Sequence, residues 1–287
     1  MSIKLNELII GIKSAGEIAS GIACRLFNSN ITNIFMMDTK ASLAVRRGVS
    51  FCEVIPEKKN PSTNKPANQS NNELNHKIIV EGVEAKKAVS FDEIPSIWNE
   101  KKIPVIVDPE WACIKTVKPH IVIDAIIAKK NLGTNLSEAS LVIGLGPGFE
   151  AGKDVHIVIE TNRGHNLGKV ILKGSPEANT GIPGSIGGFT HERVLRAPCA
   201  GIFKSDLDIG AMVKKNQVVA QVNGQDVIAR IDGVLRGQIR DNTMVKDNLK
   251  IGDIDPRGKI EYCTSISEKA RAIGGSILEA VLRKYNV

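Results

Sequence analysis

Residues 160–165 read Glu-Thr-Asn-Arg-Gly-His and set a carboxylate, a guanidinium and an imidazole within six positions. Such a set can orient a polar heterocycle, or hold a phosphate through the paired donors of the guanidinium. It can equally close on itself as a buried ion-pair network that stiffens a loop. Glu160 and His165 are therefore candidate catalytic groups and Arg163 a candidate anion contact. Their spacing matches no hydrolase triad, P-loop or metal cage, so no named reaction class follows.

These residues sit inside a glycine-rich tract. Residues 144–188 hold 11 of the 26 glycines of the chain, where an even spread would put about four. Glycine concentrates where backbone takes φ > 0 or approaches another group closely. Asp154, Glu160, Arg163 and His165 interleave with the glycines, and short β-branched runs interrupt them, which a flexible linker of this length would lack. The tract reads as a built site, with Gly146, Gly148 and Gly184 as backbone surfaces that a ligand can approach.

Further charge gathers downstream: Arg193 and Arg196, then Gly-Asp-Ile-Asp-Pro-Arg-Gly with Asp253, Asp255 and Arg257, then Lys269 and Arg271. If the C-terminal segment folds back, Arg193, Arg257, Lys269 and Arg271 converge with Arg163 around one anion-binding cleft. Cys263 stands just before a helical stretch, where a helix N-terminus would lower its pKa and raise its reactivity; the alternative is a buried inert thiol. Five cysteines without a CxxC pair give neither a disulfide framework nor a metal site.

The elements that must position these groups are those of an α/β fold. The run 7–12 (ELIIGI) is β-type, the next stretch carries Ile18, Ile22 and Leu26 at helical spacing, and 31–39 is a second strand. This is the opening of a Rossmann-like, mostly parallel sheet. Its turn reads Lys-Ser-Ala-Gly-Glu-Ile-Ala-Ser-Gly, with Ser14 where the first glycine of a dinucleotide fingerprint would stand, which counts against a nucleotide at 11–21. Asp38 ends the second strand, where a ribose-gripping acid would sit. KIIVEGV, IPVIVDP, HIVIDAII and SLVIGLG are further β-branched runs suited to buried parallel strands. Asp108 and Asp124 close two of them, as ligand contacts or as helix caps. Residues 56–76, polar and rich in Asn and Pro, read as a disordered surface loop.

Residues 197–222 and 229–254 align without gaps at an offset of 32 residues: Gly201 with Gly233, Met212-Val213-Lys214 with Met244-Val245-Lys246, Asn216 with Asn248. Two β-rich halves joined by an Asn223-Gly224 turn are similar to a barrel-sandwich hybrid of the biotinyl/lipoyl type. The turn carries no lysine, so a swinging-arm carrier is not expected and a docking or scaffold role is. In the C-terminal segment, Ser265 and Glu268 suggest a capping box, and Ile266, Ala270, Ile273, Ile277 and Val281 form an apolar helical stripe. Gly274 and Gly275 interrupt that stripe, either for close packing or as the start of a second helix. The expected organisation is a Rossmann-like unit at 1–192, a repeat module at 193–256 and a returning helical segment at 257–287.

Composition narrows the function classes. The net charge of +7 favours acidic ligands such as phosphates. Only 4% of residues are aromatic, and the two Trp and two Tyr are isolated, so the stacking pattern of a single-strand nucleic-acid binder is missing. No apolar run approaches membrane-spanning length, and no leader pattern opens the sequence. The expectation is a cytoplasmic protein with reduced thiols.

Together LVIGLGPGFEAGKDVHIVIETNRGHNLG, NTGIPGSIGG, ERVLRAP, KIGDIDPRG and ISEKARAIGGSILEA resemble the YqeB-like proteins of the selenium-dependent molybdenum hydroxylase system. The match runs from about residue 120 to the C-terminus; upstream, KSAGEIASG and VRRGVSF fit more loosely, Ser14 departs from a family glycine, and the Asn-rich loop is foreign to the pattern. The resemblance implies an accessory protein that matures such hydroxylases, handling molybdenum cofactor or its selenium ligand, with the hydroxylase apoprotein as partner. It also implies a phosphate-bearing pterin as ligand, and Cys263 as a candidate selenium or sulfur handler. Two alternatives stand beside it: a nicotinamide-dependent oxidoreductase using the 11–38 turn, and a non-enzymatic docking scaffold.

Overall fold

The computed structural model describes residues 3–56 and 77–286, so the Asn- and Pro-rich loop lies outside the described residues from 57 onward. Nine strands form one sheet: β1 (Ile10–Lys13), β2 (Ile34–Asp38), β3 (Lys77–Val80), β4 (Val83–Ala88), β5 (Ile103–Val107), β6 (Ile121–Asp124), β7 (Leu141–Leu145), β8 (Ile157–Ile159) and β9 (Val170–Ile171). Their order is β3-β4-β5-β2-β1-β6-β7-β8-β9. Only the outermost pairs, β3 with β4 and β8 with β9, are antiparallel. The edge departs from the parallel expectation because KIIVEGV does not make one strand. It turns back at Glu81-Gly82, both with positive φ (46° and 84°), into β4.

Helices cover both faces, which explains strands that are apolar runs rather than alternating patterns. Ile10, Ile12, Ile34, Met36, Ile121 and Ile123 face one core together with α1 (Glu17–Phe27) and α4 (Glu268–Tyr285). Phe35, Met37, Val122 and Val142 face the other, with buried residues of α2 (Ile94–Asn99) and α3 (Ala112–Val117). From β1 the chain passes through α1 to β2 on one side, and later places β6 on the other. The crevice of an open parallel sheet lies where connections diverge in this way, at the C-terminal ends of β1 and β6.

α4 is one unbroken helix through Gly274 and Gly275. A Cβ on Gly21 would meet the Ala270 Cβ at 2.8 Å, and one on Gly274 would meet the Arg25 Cβ at 3.1 Å. The glycines therefore serve close packing. The pairing of 21 with 270 and 25 with 274 also shows that α1 and α4 run parallel, N-termini side by side. The cap is Ser267, which accepts the Ala270 N–H, two residues beyond the Ser265 that the pattern suggested. Ile273, Ile277 and Val281 are fully buried, each contributing about 1.5–3 kcal/mol toward holding α4 in place.

The repeat makes two four-stranded antiparallel sheets from β10 (Val194–Arg196), β11 (Gly201–Lys204), β12 (Met212–Val213), β13 (Val218–Val222), β14 (Gln225–Ile228), β15 (Gly233–Gln238), β16 (Met244–Val245) and β17 (Lys250–Asp255). Their orders are β10-β17-β15-β12 and β14-β13-β11-β16. Shifting either sheet by the 32-residue repeat gives the other, so each takes two strands from each half and neither half closes its core alone. Phe203, Val222, Leu235 and Ile254 lie in the shared core. Asn223 and Gly224, with φ of 50° and 81°, make the hairpin between β13 and β14. Among the described residues no helix is long and apolar enough to cross a membrane.

Candidate functional site: a cationic cleft

The turn after β1 sets the first wall of the crevice. Ser14 adopts φ 92°, the conformation a glycine would take without strain. Its N–H donates to the Met37 carbonyl at 2.7 Å, and its Oγ accepts the Gly16 N–H at 3.1 Å. Gly16 is the N-cap of α1 and provides no side-chain cap, so the first-turn amides of α1 have no side-chain acceptor there. Asp38 points inward, accepting the N–H groups of Ala15 and Thr39 at 2.7 Å each, and burial raises its pKa. A carboxylate used in this way is not offered to a ribose. Asp108 caps α3 through the amides of Ala112 and Cys113. Asp124 accepts the Thr134 hydroxyl at 2.7 Å.

A cavity of about 680 Å³ opens at this edge, walled by the β1 and β6 turns, the glycine-rich tract, strands β15 and β17, and the first turn of α4. Eight cationic side chains line it, Arg46, Lys129, Arg163, Arg193, Arg196, Arg236, Lys250 and Lys269, against three acidic ones, Glu17, Glu177 and Asp253. No aromatic ring, histidine or cysteine is among its described lining residues. Two helix N-termini open on it, Gly16–Ile18 of α1 and Ser267–Lys269 of α4, and both dipoles favour negative charge there.

Buried ion pairs hold the far wall. Arg193 donates through Nη1 to Asp253, and through Nε and Nη2 to the Gly184 carbonyl at 3.1 and 2.8 Å. Arg236 donates to Asp253 and, at 3.1 Å, to Asp255. Arg46 is 5% exposed, pairs with Glu17 at 2.9 Å, and leaves its Nε buried with no hydrogen-bond partner among the described residues. The Lys269 side chain forms no hydrogen bond or ion pair among the described residues. Burial in the cleft, then the charge of Arg163, push its pKa down to about 8. An anion beside Lys269 would remove that repulsion.

The candidate residues separate into groups. Arg163, Gly184, Arg193 and Lys269 line the large cavity. Gly184 touches Arg163 directly: a methyl there would lie 2.0 Å from the Arg163 Cδ. Arg257 and Arg271 line a second, smaller cavity that shares Arg46, Arg236 and Ser267 with the first. Glu160 lines neither cavity. It is 2% exposed, and its carboxylate is taken up by the N–H groups of Thr161 and Asn162, 2.7 Å each, and of Glu177 at 2.6 Å. It pins the tract to the end of β8, a structural anchor where the sequence suggested an acid-base group. His165 is exposed and lines neither cavity.

Gly146 and Gly148 also face protein. With φ of 72° and 108°, they bring the loop after β7 against the Thr161 side chain and the Lys130 backbone. Cys263 is 3% exposed and burial raises its thiol pKa, which fits the buried inert thiol rather than activation by a helix N-terminus. All five cysteines are free, and the buried Cys263 lines neither cavity. Arg46, Arg236 and Lys250 were not singled out from the sequence. VRRGVSF carried Arg46 as a motif, and the repeat carried Arg236 and Lys250, but only the fold brings them together.

No family model matches the chain. A protein of Escherichia coli (strain K12) called "Uncharacterized protein YqeB" is 42% identical over 277 residues, which are 96% of this chain and 48% of that protein. Among solved structures, the product-bound ectoine utilization protein EutE (DoeB) from Ruegeria pomeroyi aligns over 29% of this chain and 27% of its own, at 20% identity and TM-score 0.21. An aspartoacylase family protein from Mesorhizobium loti aligns over 86% and 84%, at 13% identity and TM-score 0.26. Superpositions this poor transfer nothing to the site. The sequence match supports placing the chain among YqeB-like proteins, and the chain spans about half the length of the curated relative it matches.

Proposed function

We propose that the large cavity binds a phosphate-bearing cofactor, and that this is molybdenum cofactor on its way to a selenium-dependent molybdenum hydroxylase apoprotein. The observation that carries the binding claim is the convergence of eight cations and two parallel helix N-termini on one cavity. The pathway rests on the resemblance to YqeB-like proteins.

The residues present fit such a ligand. A volume of about 680 Å³ lies within the usual range for small-molecule sites. The Lys269 side chain has no ion-pair partner among the described residues and suits a phosphate, while Asn162, Asn179 and Thr180 line the cavity with polar side chains for ring edges. With no aromatic lining, a pterin ring would rest against guanidinium planes, which stack well. The cofactor supplies the redox chemistry of the hydroxylase that receives it; the residues here bind and orient it. A thiol route through Cys263 is not part of the proposal, because that thiol is buried and lines neither cavity.

We read the chain as a Rossmann-like unit at 1–192, a barrel-sandwich-hybrid-like module at 193–256 and a helical return at 257–287. The two repeat-related sheets support the module assignment. Met212 and Met244, at equivalent repeat positions and 58% and 67% exposed, support a docking role for it, since exposed methionine suits adaptable contacts. Thermal-shift measurement with a molybdopterin-type pterin phosphate, NAD(H), NADP(H) and CTP tests the reading. Stabilisation by the pterin phosphate, abolished in Arg163→Ala and Lys269→Ala, is expected. Stabilisation by NAD(H) alone would overturn it in favour of an oxidoreductase.

A further inference from the structure

The smaller cavity, about 270 Å³, adjoins the first: Arg46, Arg236 and Ser267 line both. We infer that it is a second anion subsite and that the ligand of this protein carries two phosphoryl groups, as a diphosphate ester, one in each cavity. The inference rests on the anion-binding reading of the large cavity and adds a ligand class to it.

Four arginines, Arg46, Arg236, Arg257 and Arg271, line the smaller cavity with a single acid, Glu268, which is itself paired with Arg163. Each arginine is held by a carboxylate: Arg46 by Glu17, Arg236 by Asp253 and Asp255, Arg257 by Asp255 and Arg271 by Glu81. A guanidinium has five N–H donors, and these pairings do not use them all. Arg271 spends only Nη2, on Glu81 at 2.5 Å, and its side chain is 48% exposed. Arg257 spends Nε and Nη2 on Asp255 and lies over the Tyr262 ring with 4.4 Å to the centroid, so its plane is fixed before any ligand arrives.

The wall between the cavities supplies the independent observation. Arg46 is almost fully buried, lines both cavities, and its Nε has no partner among the described residues. A buried guanidinium N–H left without an acceptor is destabilising. The N-terminus of the 18-residue α4 stands at the same junction through Ser267, and its dipole adds to the attraction. A monophosphate would fill one cavity and leave the other with water. A diphosphate spans both.

Equilibrium dialysis with radiolabelled inorganic phosphate and pyrophosphate, on the full chain, separates the possibilities. About two phosphates per chain are expected. One pyrophosphate should displace both and bind on the order of 10²-fold more tightly, as linking two binding groups gives. Arg257→Ala with Arg271→Ala should leave about one phosphate and remove most of the pyrophosphate advantage, whereas Arg271→Lys, which keeps the charge, should retain part of it. Both side chains are partly exposed, so folding is expected to survive, and circular dichroism checks it. One phosphate per chain, abolished only in Arg163→Ala with Lys269→Ala, would overturn this inference and leave the large-cavity reading standing. Two phosphates insensitive to the Arg257 and Arg271 changes would also overturn it. No phosphate at all would overturn both.

Discussion

Replacing Asp253 by Asn removes the carboxylate on which two nearly buried arginines converge. Asp253 is fully buried, while Arg193 and Arg236 are 5% and 6% exposed. Arg236 Nε donates to it at 2.8 Å, Arg193 Nη1 also donates to it, and Lys250 Nζ stands 3.7 Å away. Removing one partner of a buried pair costs about 3–5 kcal/mol, because the other charge stays buried. Arg236 keeps Asp255 at 3.1 Å, and Asn still accepts a hydrogen bond, so the low end, about 3 kcal/mol, is expected. At about 2–4 °C per kcal/mol for large domains, the melting temperature should fall by about 6–12 °C. Arg193 also holds the Gly184 carbonyl, so amides of 181–188 should lose hydrogen-exchange protection in the same variant. Burial alone would raise the Asp253 pKa, but Lys250, Arg236 and Arg193 together hold it below its ordinary 3.8. A depressed folded pKa gives stability that is present above 3.8 and lost as pH falls through the folded value. Calorimetric unfolding of Asp253→Asn should therefore show a lower melting point and a flatter acid limb. A melting point within about 2 °C of the native protein would refute the reasoning that this network holds the cleft wall.

Three further outcomes follow from local geometry. Gly184→Ala puts a methyl 2.0 Å from the Arg163 Cδ and displaces that side chain. Phosphate affinity by calorimetry should then drop on the order of tenfold, the worth of one charge-assisted hydrogen bond, and an unchanged affinity would count against Arg163 as a ligand group. Ser14, at φ 92°, should accept Gly within about 1 kcal/mol, whereas the β-branched Ser14→Val should cost about 2 kcal/mol or more in denaturant unfolding; equal costs would argue against the strained turn. His156 Nδ1 accepts the Val142 N–H at 3.0 Å and must be neutral to do so, and burial, then Lys284, lower its pKa. Its contribution to stability is present above pH 6.5 and lost as pH falls through the lowered folded value. His156→Asn should therefore flatten the loss of stability between about pH 7 and 5; a steeper loss would contradict the assignment.

Much of the framework was legible because local patterns and tertiary packing agree. The β-branched runs at 9–12, 103–107, 121–124 and 141–145 became buried parallel strands, and the apolar stripe of 266–281 became α4 packed on α1. The repeat predicted the hairpin at Asn223-Gly224, since that turn chemistry is local. KIIVEGV was misread because a two-residue turn of Glu and Gly hides inside an apolar run. The site was half legible. Arg163, Arg193 and Lys269 cluster in sequence with glycine or with other charged residues, and the fold keeps them together in one cavity. Arg46, Arg236 and Lys250 come from separate segments, so no window contains their convergence. Glu160 and Cys263 looked reactive by residue type, but reactivity depends on exposure and unmet hydrogen bonding, and both are buried with their polar atoms engaged or desolvated.

The central claim is that the cleft at the ends of β1 and β6 takes an anion beside Lys269. Calorimetric titration with sulfate, whose charge is constant over the range, tests it on the native chain and on Lys269→Met between pH 7 and 9. Free Lys269 has a pKa near 8, and a bound anion favours its charged form, so binding should take up protons and weaken as pH rises through that value. Lys269→Met should bind on the order of tenfold more weakly with no proton uptake. Sulfate binding that is absent, or indifferent both to pH and to Lys269→Met, would contradict the account.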